Sequence, residues 1–271
     1  MTWEALYPSP IKVADETQKR ISRTKRNEKA IKWISPTFHA IHPIHTNQPE
    51  EDVLLLDVHF MSSSSEAIMQ VPSYAEWLDK QDQKEVYEYE KKLLNLLQWQ
   101  KGGDFWVLKS PHHLEFLNVF IKVFPNTKVV WTHREIEACI PSFLSMLYHS
   151  RSMFSDHVNQ NEIKSHWLQK MAKMLRSGLK FRELHPGIIH DGNFHHFLKN
   201  EMEVLSGIIP HLAMIPERNE TLKEQRSKEK YTSKHIYKIS DWDIKIEDLR
   251  SQFSFYEQTL FSLEKKERNH G

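Results

Sequence analysis

Two short apolar segments, Phe105–Leu108 and Lys128–Thr132, each run into residues suited to anion chemistry. Lys109-Ser110-Pro111 follows the first. His133-Arg134 follows the second, with Ser142 eight positions beyond Arg134. Between them, Leu114, Leu117, Phe120, Ile121 and Phe124 recur at helical spacing and stop at Pro125-Asn126. A strand, a helix and a strand in that order form a crossover connection, which makes the strands parallel. Ligands in open α/β sheets bind outside the carboxyl ends of such strands. One stretch of sequence therefore predicts both a fold class, α/β with a parallel sheet, and the place where chemistry would happen.

The flanking chain extends the same pattern. A helix is expected from an Asp15 cap to about Ile34. Residues 36–52 then form a loop leading into the apolar Val53–Phe60. Val86, Tyr89, Leu93, Leu94 and Leu97 define an amphipathic helix over Gln83–Gln100, stopped by Gly102-Gly103. The Val-rich Lys128–Thr132 reads as a strand buried on both faces. The helix carrying Ser142 runs to about His149, with Pro141 tolerable only in a first turn or at a kink. Further helices are predicted over Glu162–Arg182 and from Phe194 to Ile208, and a third through Ile246, Phe253, Tyr256 and Leu263. Gly187–His190 is a short strand. The whole of 1–271 is expected to be one domain, with 215–235 a polar, lysine-rich surface loop and 264–271 a solvated tail.

Composition narrows the function classes. The 37 Lys+Arg nearly balance 36 Asp+Glu, which argues against nucleic-acid binding by bulk charge. Cys139 is the only cysteine, so no intrachain disulfide forms and a reducing, cytoplasmic setting fits. No apolar run approaches the ~20 residues of a membrane span. His42, His45, Glu50 and Glu51 lie close in sequence, but no spacing matches a zinc arrangement such as H-E-x-x-H, so no metal is expected.

Lys109 at a strand mouth can stabilise charge developing on an anionic oxygen. Alone, it is as readily an exposed strand-end lysine. Arg134 and Ser142 can share one phosphate, through a bidentate guanidinium and a hydroxyl. Alone, they are a surface arginine and a helix-start serine. Three such groups within 34 residues, each just after an apolar strand, favour the anion-binding reading. Tyr74, Trp77 and Tyr87 could line an apolar acceptor site or simply belong to the core.

The segments WVLKSPHHL (106–114) and VFPNTKVVWTHRE (123–135), with the Arg134–Ser142 spacing, resemble sulfotransferases that use 3′-phosphoadenosine 5′-phosphosulfate (PAPS). The likeness is to the bacterial-type branch of these P-loop-like proteins. It extends to WEALYPSP (3–10), HPIHTNQPEED (42–52), VPSYAEWL (71–78), LLQWQKGG (96–103), SKHIY (233–237) and FSFY (253–256). It implies a helix-rich three-layer α/β/α architecture around a short parallel sheet. It also implies sulfuryl transfer from PAPS, without metal, to a hydroxyl or amine of a small-molecule, lipid or glycan acceptor. Lys109 would then stabilise the bridging oxygen, and Arg134 and Ser142 would hold the 3′-phosphate. The base would be His113 or Glu51, with Glu50 and His42 as further candidates. Lys234 and His235 would belong to a loop closing over the donor.

The chain departs from the family pattern in two places. Glu135-Ile136 stands where Asp-Pro is usual. The Gly-containing loop of the PRTGTT type, which cradles the 5′-phosphosulfate on backbone amides, is not found, and no glycine precedes Gly102. The first strand of the sheet is accordingly expected to be missing, with an exposed sheet edge that favours self-association. Activity is expected to be weak or absent in this chain. The alternative is a non-catalytic relic of the family that binds a nucleotide phosphate or a partner. A nucleotide kinase is disfavoured because G-x-x-x-x-G-K-[ST] does not occur.

Overall fold

The computed structural model describes residues 1–8, 14–211 and 237–268. The predicted 215–235 loop, with Lys234 and His235, lies outside them. Backbone contacts divide the chain into two compact units. The first comprises Met1–Pro125 and Leu144–Gly178, the second Asn126–Phe143 and Leu179–Gly271.

Helices dominate the first unit: α1 (Thr2–Leu6), α2 (Ala14–Ile34), α3 (Pro36–Ile41), α4 (Val53–Asp57), α5 (Ser64–Ile68), α6 (Pro72–Leu78), α7 (Lys84–Lys101) and α8 (His113–Val123). On α7 the buried positions are Val86, Tyr87, Glu90, Leu93, Leu94 and Leu97. This stripe is rotated slightly from the expected one: Tyr89 is only half-buried, and Tyr87 and Glu90 take the interior. An apolar tally passes over Glu90, yet a carboxyl in mid-stripe is driven inward by its place on the helix. Leu56, Leu78, Val86, Tyr87, Phe120 and Val123 form the core around it. Gly102 closes α7 at φ 74°, a left-handed conformation that a residue with a Cβ adopts only under strain.

The expected strand Phe105–Leu108 does not form. Its backbone finds no ladder partner among the described residues, and Phe105 and Val107 are 60% and 78% exposed. Extended backbone becomes a strand only by pairing, so an apolar run alone does not make one.

The second unit contains β1 (Val129–His133) and β2 (Ile189–Asn193), paired parallel with Val129 opposite Ile189 and His133 opposite Asn193. Trp131 and His133 are buried while Val130 and Thr132 are exposed. β1 therefore alternates with period two and is not buried on both faces as expected. α9 (Ile136–Arg151) and α10 (Gln160–Leu184) carry residues of both units. α9 starts earlier than predicted and holds Pro141 in its interior. The cost is the bond that an amide at 141 would have made to the Glu137 carbonyl. The helix expected over 194–208 is two, α11 (Phe194–Lys199) and α12 (Glu201–His211), divided at Asn200. After a 3₁₀ turn at Ile239–Trp242, α13 (Ile246–Arg268) completes the unit, with Leu249, Phe253 and Tyr256 buried. The helix continues through most of the expected solvated tail. Among the described residues, no helix is long and apolar enough to cross a membrane.

Candidate functional site

In the first unit the turn after the extended 105–108 segment carries Lys109, and the loop before α4 carries Glu51 and Asp52. These two stretches are joined twice. The Lys109 backbone N–H donates to Asp52 Oδ1 at 2.6 Å, and the Lys109 ammonium forms an ion pair with Glu51. Lys109 is largely exposed and Glu51 only 20% so, giving an exposed cation held against a mostly covered carboxylate.

Behind this pair lies a buried polar cluster. His113 Nε2 is 2.6 Å from Asp52 Oδ2, and His113 Nδ1 is 3.2 Å from the Tyr87 hydroxyl. Glu90 is fully buried beside Asp52. Burial, then the Asp52 charge, pushes the Glu90 carboxyl up to about 10, so it stays protonated beside Asp52. For Asp52, burial pushes upward, but the hydrogen bond and charge of His113 outweigh it and hold the carboxylate below its ordinary range. His112, next in the chain, is forced down to about 3, first by burial, and its Nε2 lies 3.3 Å from Gln83. Both ring nitrogens of His113 are thus engaged inside the protein, whereas Glu51 is paired with the exposed Lys109. Glu50 and His42 pair with each other at 3.7 Å.

One ligand atom from each of Asp52, Glu90 and His113 lies within 4.8 Å of the other two, so these residues could approach a metal ion. Two of these residues, His113 and Asp52, are already bonded to each other.

Tyr87 belongs to the core, fully buried against Phe120 at 5.1 Å between ring centroids. Tyr74 donates its hydroxyl to the Ser62 carbonyl at 2.8 Å. Trp77 is 44% exposed and lines an open cavity with His59, Met61, Asp82 and Glu85.

In the second unit Arg134 immediately follows β1, and Ser142 sits half-buried on α9. The Arg134 guanidinium carbon lies 4.7 Å over the Phe194 ring, and its buried Nε has no hydrogen-bond partner. Glu135, in place of the usual aspartate, pairs with His195 at 2.8 Å. Beneath Arg134, His133 is fully buried, with Nε2 2.9 Å from Asp191 Oδ1 and Nδ1 3.0 Å from the Tyr256 hydroxyl. Arg182 donates to Asp191 Oδ2 through Nε and Nη2, each at 2.6 Å. Burial pushes Asp191 up, but the bonds from His133 and Arg182 prevail and keep it ionised. Burial is also the main reason the Tyr256 phenol is raised.

Lys109 and Glu51 are therefore brought together, and Arg134 and Ser142 lie in the same unit on consecutive elements. Sequence reasoning did not single out Asp52, Glu90, Asp191 or Phe194 as parts of a site, and met Tyr256 only on the face of the last helix and within FSFY. The acid beside Glu51 in PEED was the one local hint.

The model of the sulfotransferase family matches residues 4–217. No curated protein matches the chain. Among solved structures, sulfotransferase STF1 from Mycobacterium tuberculosis H37Rv matches with a TM-score of 0.77 at 24% identity, over 93% of this chain and 67% of that one. Sulfotransferase STF9 from Mycobacterium avium matches at 0.77 and 22%, over 95% and 69%. At these identities the likeness to the two structures is one of fold.

Proposed function

The chain belongs to the sulfotransferase family, and on that premise we propose that it binds PAPS and transfers the sulfuryl group to an acceptor hydroxyl or amine. The observation that carries this reading is the Lys109–Glu51 ion pair, anchored from behind by Asp52. In the resting pair the ammonium and the carboxylate neutralise each other. A bound donor would draw Lys109 to the oxygen bridging sulfur and phosphorus, freeing Glu51 to take the acceptor's proton. The acceptor oxygen or nitrogen then bonds to sulfur as the sulfur–bridging oxygen bond breaks. The electron pair stays on the departing adenosine 3′,5′-bisphosphate, where Lys109 balances it. Glu51 suits the base role better than His113, whose two nitrogens are both occupied.

Arg134 and Ser142 would hold the 3′-phosphate, and Lys234 and His235 would close over the donor. The residues present need no metal for this step. The acceptor would be a small molecule, lipid or glycan encountered in the cytoplasm. Because Arg-(Ser/Thr)-Gly-Thr-Thr does not occur in these 271 residues, donor affinity would rest on the 3′ end and turnover would be slow.

Calorimetric titration with adenosine 3′,5′-bisphosphate tests the proposal. Saturable binding weakened by Arg134→Ala and Ser142→Ala is expected; absence of binding by the folded wild-type chain would refute it. Binding without any release of adenosine 3′,5′-bisphosphate from PAPS would leave a nucleotide-binding relic.

A further inference from the structure

A continuous hydrogen-bonded chain runs through the second unit from Arg182 to Tyr256 and holds His133, the residue before Arg134. Its direction follows from the chemistry of its members. Arg182 can only donate, and both of its bonds go to Asp191. The Asp191 carboxylate can only accept, so His133 Nε2 carries the proton that points at it. His133 Nδ1 is left as an acceptor for the Tyr256 O–H at 3.0 Å. His133 is the covalent neighbour of Arg134, so the residue clamped by Tyr256 and Asp191 is the one that leads directly into it.

Packing holds the chain rigid. The Tyr256 ring stacks on His133 with centroids 5.7 Å apart, and Trp131 lies 4.6 Å from His133. β1–β2 pairing sets Asp191 and His133 on neighbouring strands, two register positions apart. With His133 clamped immediately before it and its guanidinium laid on Phe194 at 4.7 Å, Arg134 keeps little freedom. Its Nε has no hydrogen-bond partner, so the side chain is positioned but not consumed.

We propose that Tyr256, oriented by His133 and Asp191, is a positioning residue that aims Arg134 at a 3′-phosphate. It thereby sets selectivity for nucleotides bearing that group. The inference rests on the donor-binding reading above and deepens it. A preorganised arginine loses less entropy on binding, so the benefit falls only on ligands that reach it.

The test compares two ligands by titration calorimetry: adenosine 3′,5′-bisphosphate and adenosine 5′-monophosphate, which lacks the 3′-phosphate. The wild type should prefer the bisphosphate, and Arg134→Ala should abolish the preference. Tyr256→Phe keeps the ring and removes only the hydroxyl. It should cut the preference about tenfold while affinity for the monophosphate stays within about twofold. Asp191→Asn should shift the ratio in the same direction, and serves if the phenylalanine variant does not fold. Partial unfolding lowers the binding stoichiometry but not this ratio, so a merely structural role predicts no change in it. A wild-type ratio retained by a folded Tyr256→Phe, or by Asp191→Asn, overturns the inference while leaving the donor reading intact. A wild type with no preference at all overturns the donor reading, and this inference with it.

Discussion

The Lys109 amide and the Asp52 carboxylate meet at 2.6 Å across 57 residues of chain, so one buried acid fixes the backbone that presents the site's lysine. The same acid is the covalent neighbour of Glu51. Its other oxygen receives His113, also at 2.6 Å. Asp52→Ala should therefore destabilise the fold by about 3–5 kcal/mol, the range for removing one partner of a buried pair. Urea denaturation measures it, and a loss below about 1 kcal/mol would show that the cluster is not under tension.

Lys109 itself should behave oppositely. It is exposed, so Lys109→Met should leave the melting temperature within a degree or two. Release of adenosine 3′,5′-bisphosphate from PAPS should fall by about 10²–10³, as for loss of one oriented charge-stabilising group. An unchanged rate would remove Lys109 from the chemistry.

Glu90 gives a pH dependence of definite sign. Its pKa is raised in the folded state, from an ordinary value near 4.5 to about 10. Between these values the folded chain keeps a proton that the unfolded chain releases. Stability from this group is thus complete below pH ~4.5 and declines as pH rises toward 10. Glu90→Gln, which keeps the side chain's shape but cannot ionise, should be more stable than wild type at pH 9, by several kcal/mol at ~1.4 kcal/mol per pH unit above 4.5, and about equal at pH 4.5. Urea midpoints at the two pH values decide this.

Another buried acid, Glu66, organises a separate polar cluster in the first unit. It receives His166 at 2.8 Å and Lys170, while its backbone carbonyl accepts from Arg151 at 2.7 Å. Glu66→Ala would leave the buried Lys170 only the half-exposed Asp79 at 3.7 Å and should cost about 3–5 kcal/mol. Adding Lys170→Met should recover much of that, because the poorly compensated buried charge is then gone. A double mutant no more stable than the single would contradict this account.

The helices were legible because their information is local. Apolar spacing marked α7, α8, α10 and α13, and Gly102-Gly103 marked the end of α7. β1 showed as a short β-branched run, although only pairing revealed that it buries Trp131 and His133 and exposes Val130. β2 runs over Ile189–Asn193, three residues beyond the expected Gly187–His190, because Asp191-Gly192-Asn193 carries no β signal of its own and is extended by pairing with β1. The 105–108 run looked like a strand for the same local reason and fails for a non-local one, because nothing described pairs with it. Lys109, Glu51, Arg134 and Ser142 were found from motif and resemblance. Glu90 escaped because a single carboxyl in an amphipathic helix reads as solvent-facing until the helix is docked.

By itself the sequence determined the helical periods, the α/β class and the family signature of KSPHHL and the HR-to-Ser spacing. Each depends on residues within a few turns of one another. Tertiary structure decided which polar groups became a site. Asp52 and His113 are 61 residues apart, and His133 and Tyr256 are 123 apart. No local pattern encodes such distances. They are set when apolar stripes pack and carry the polar groups among them into low dielectric, where each must find a partner.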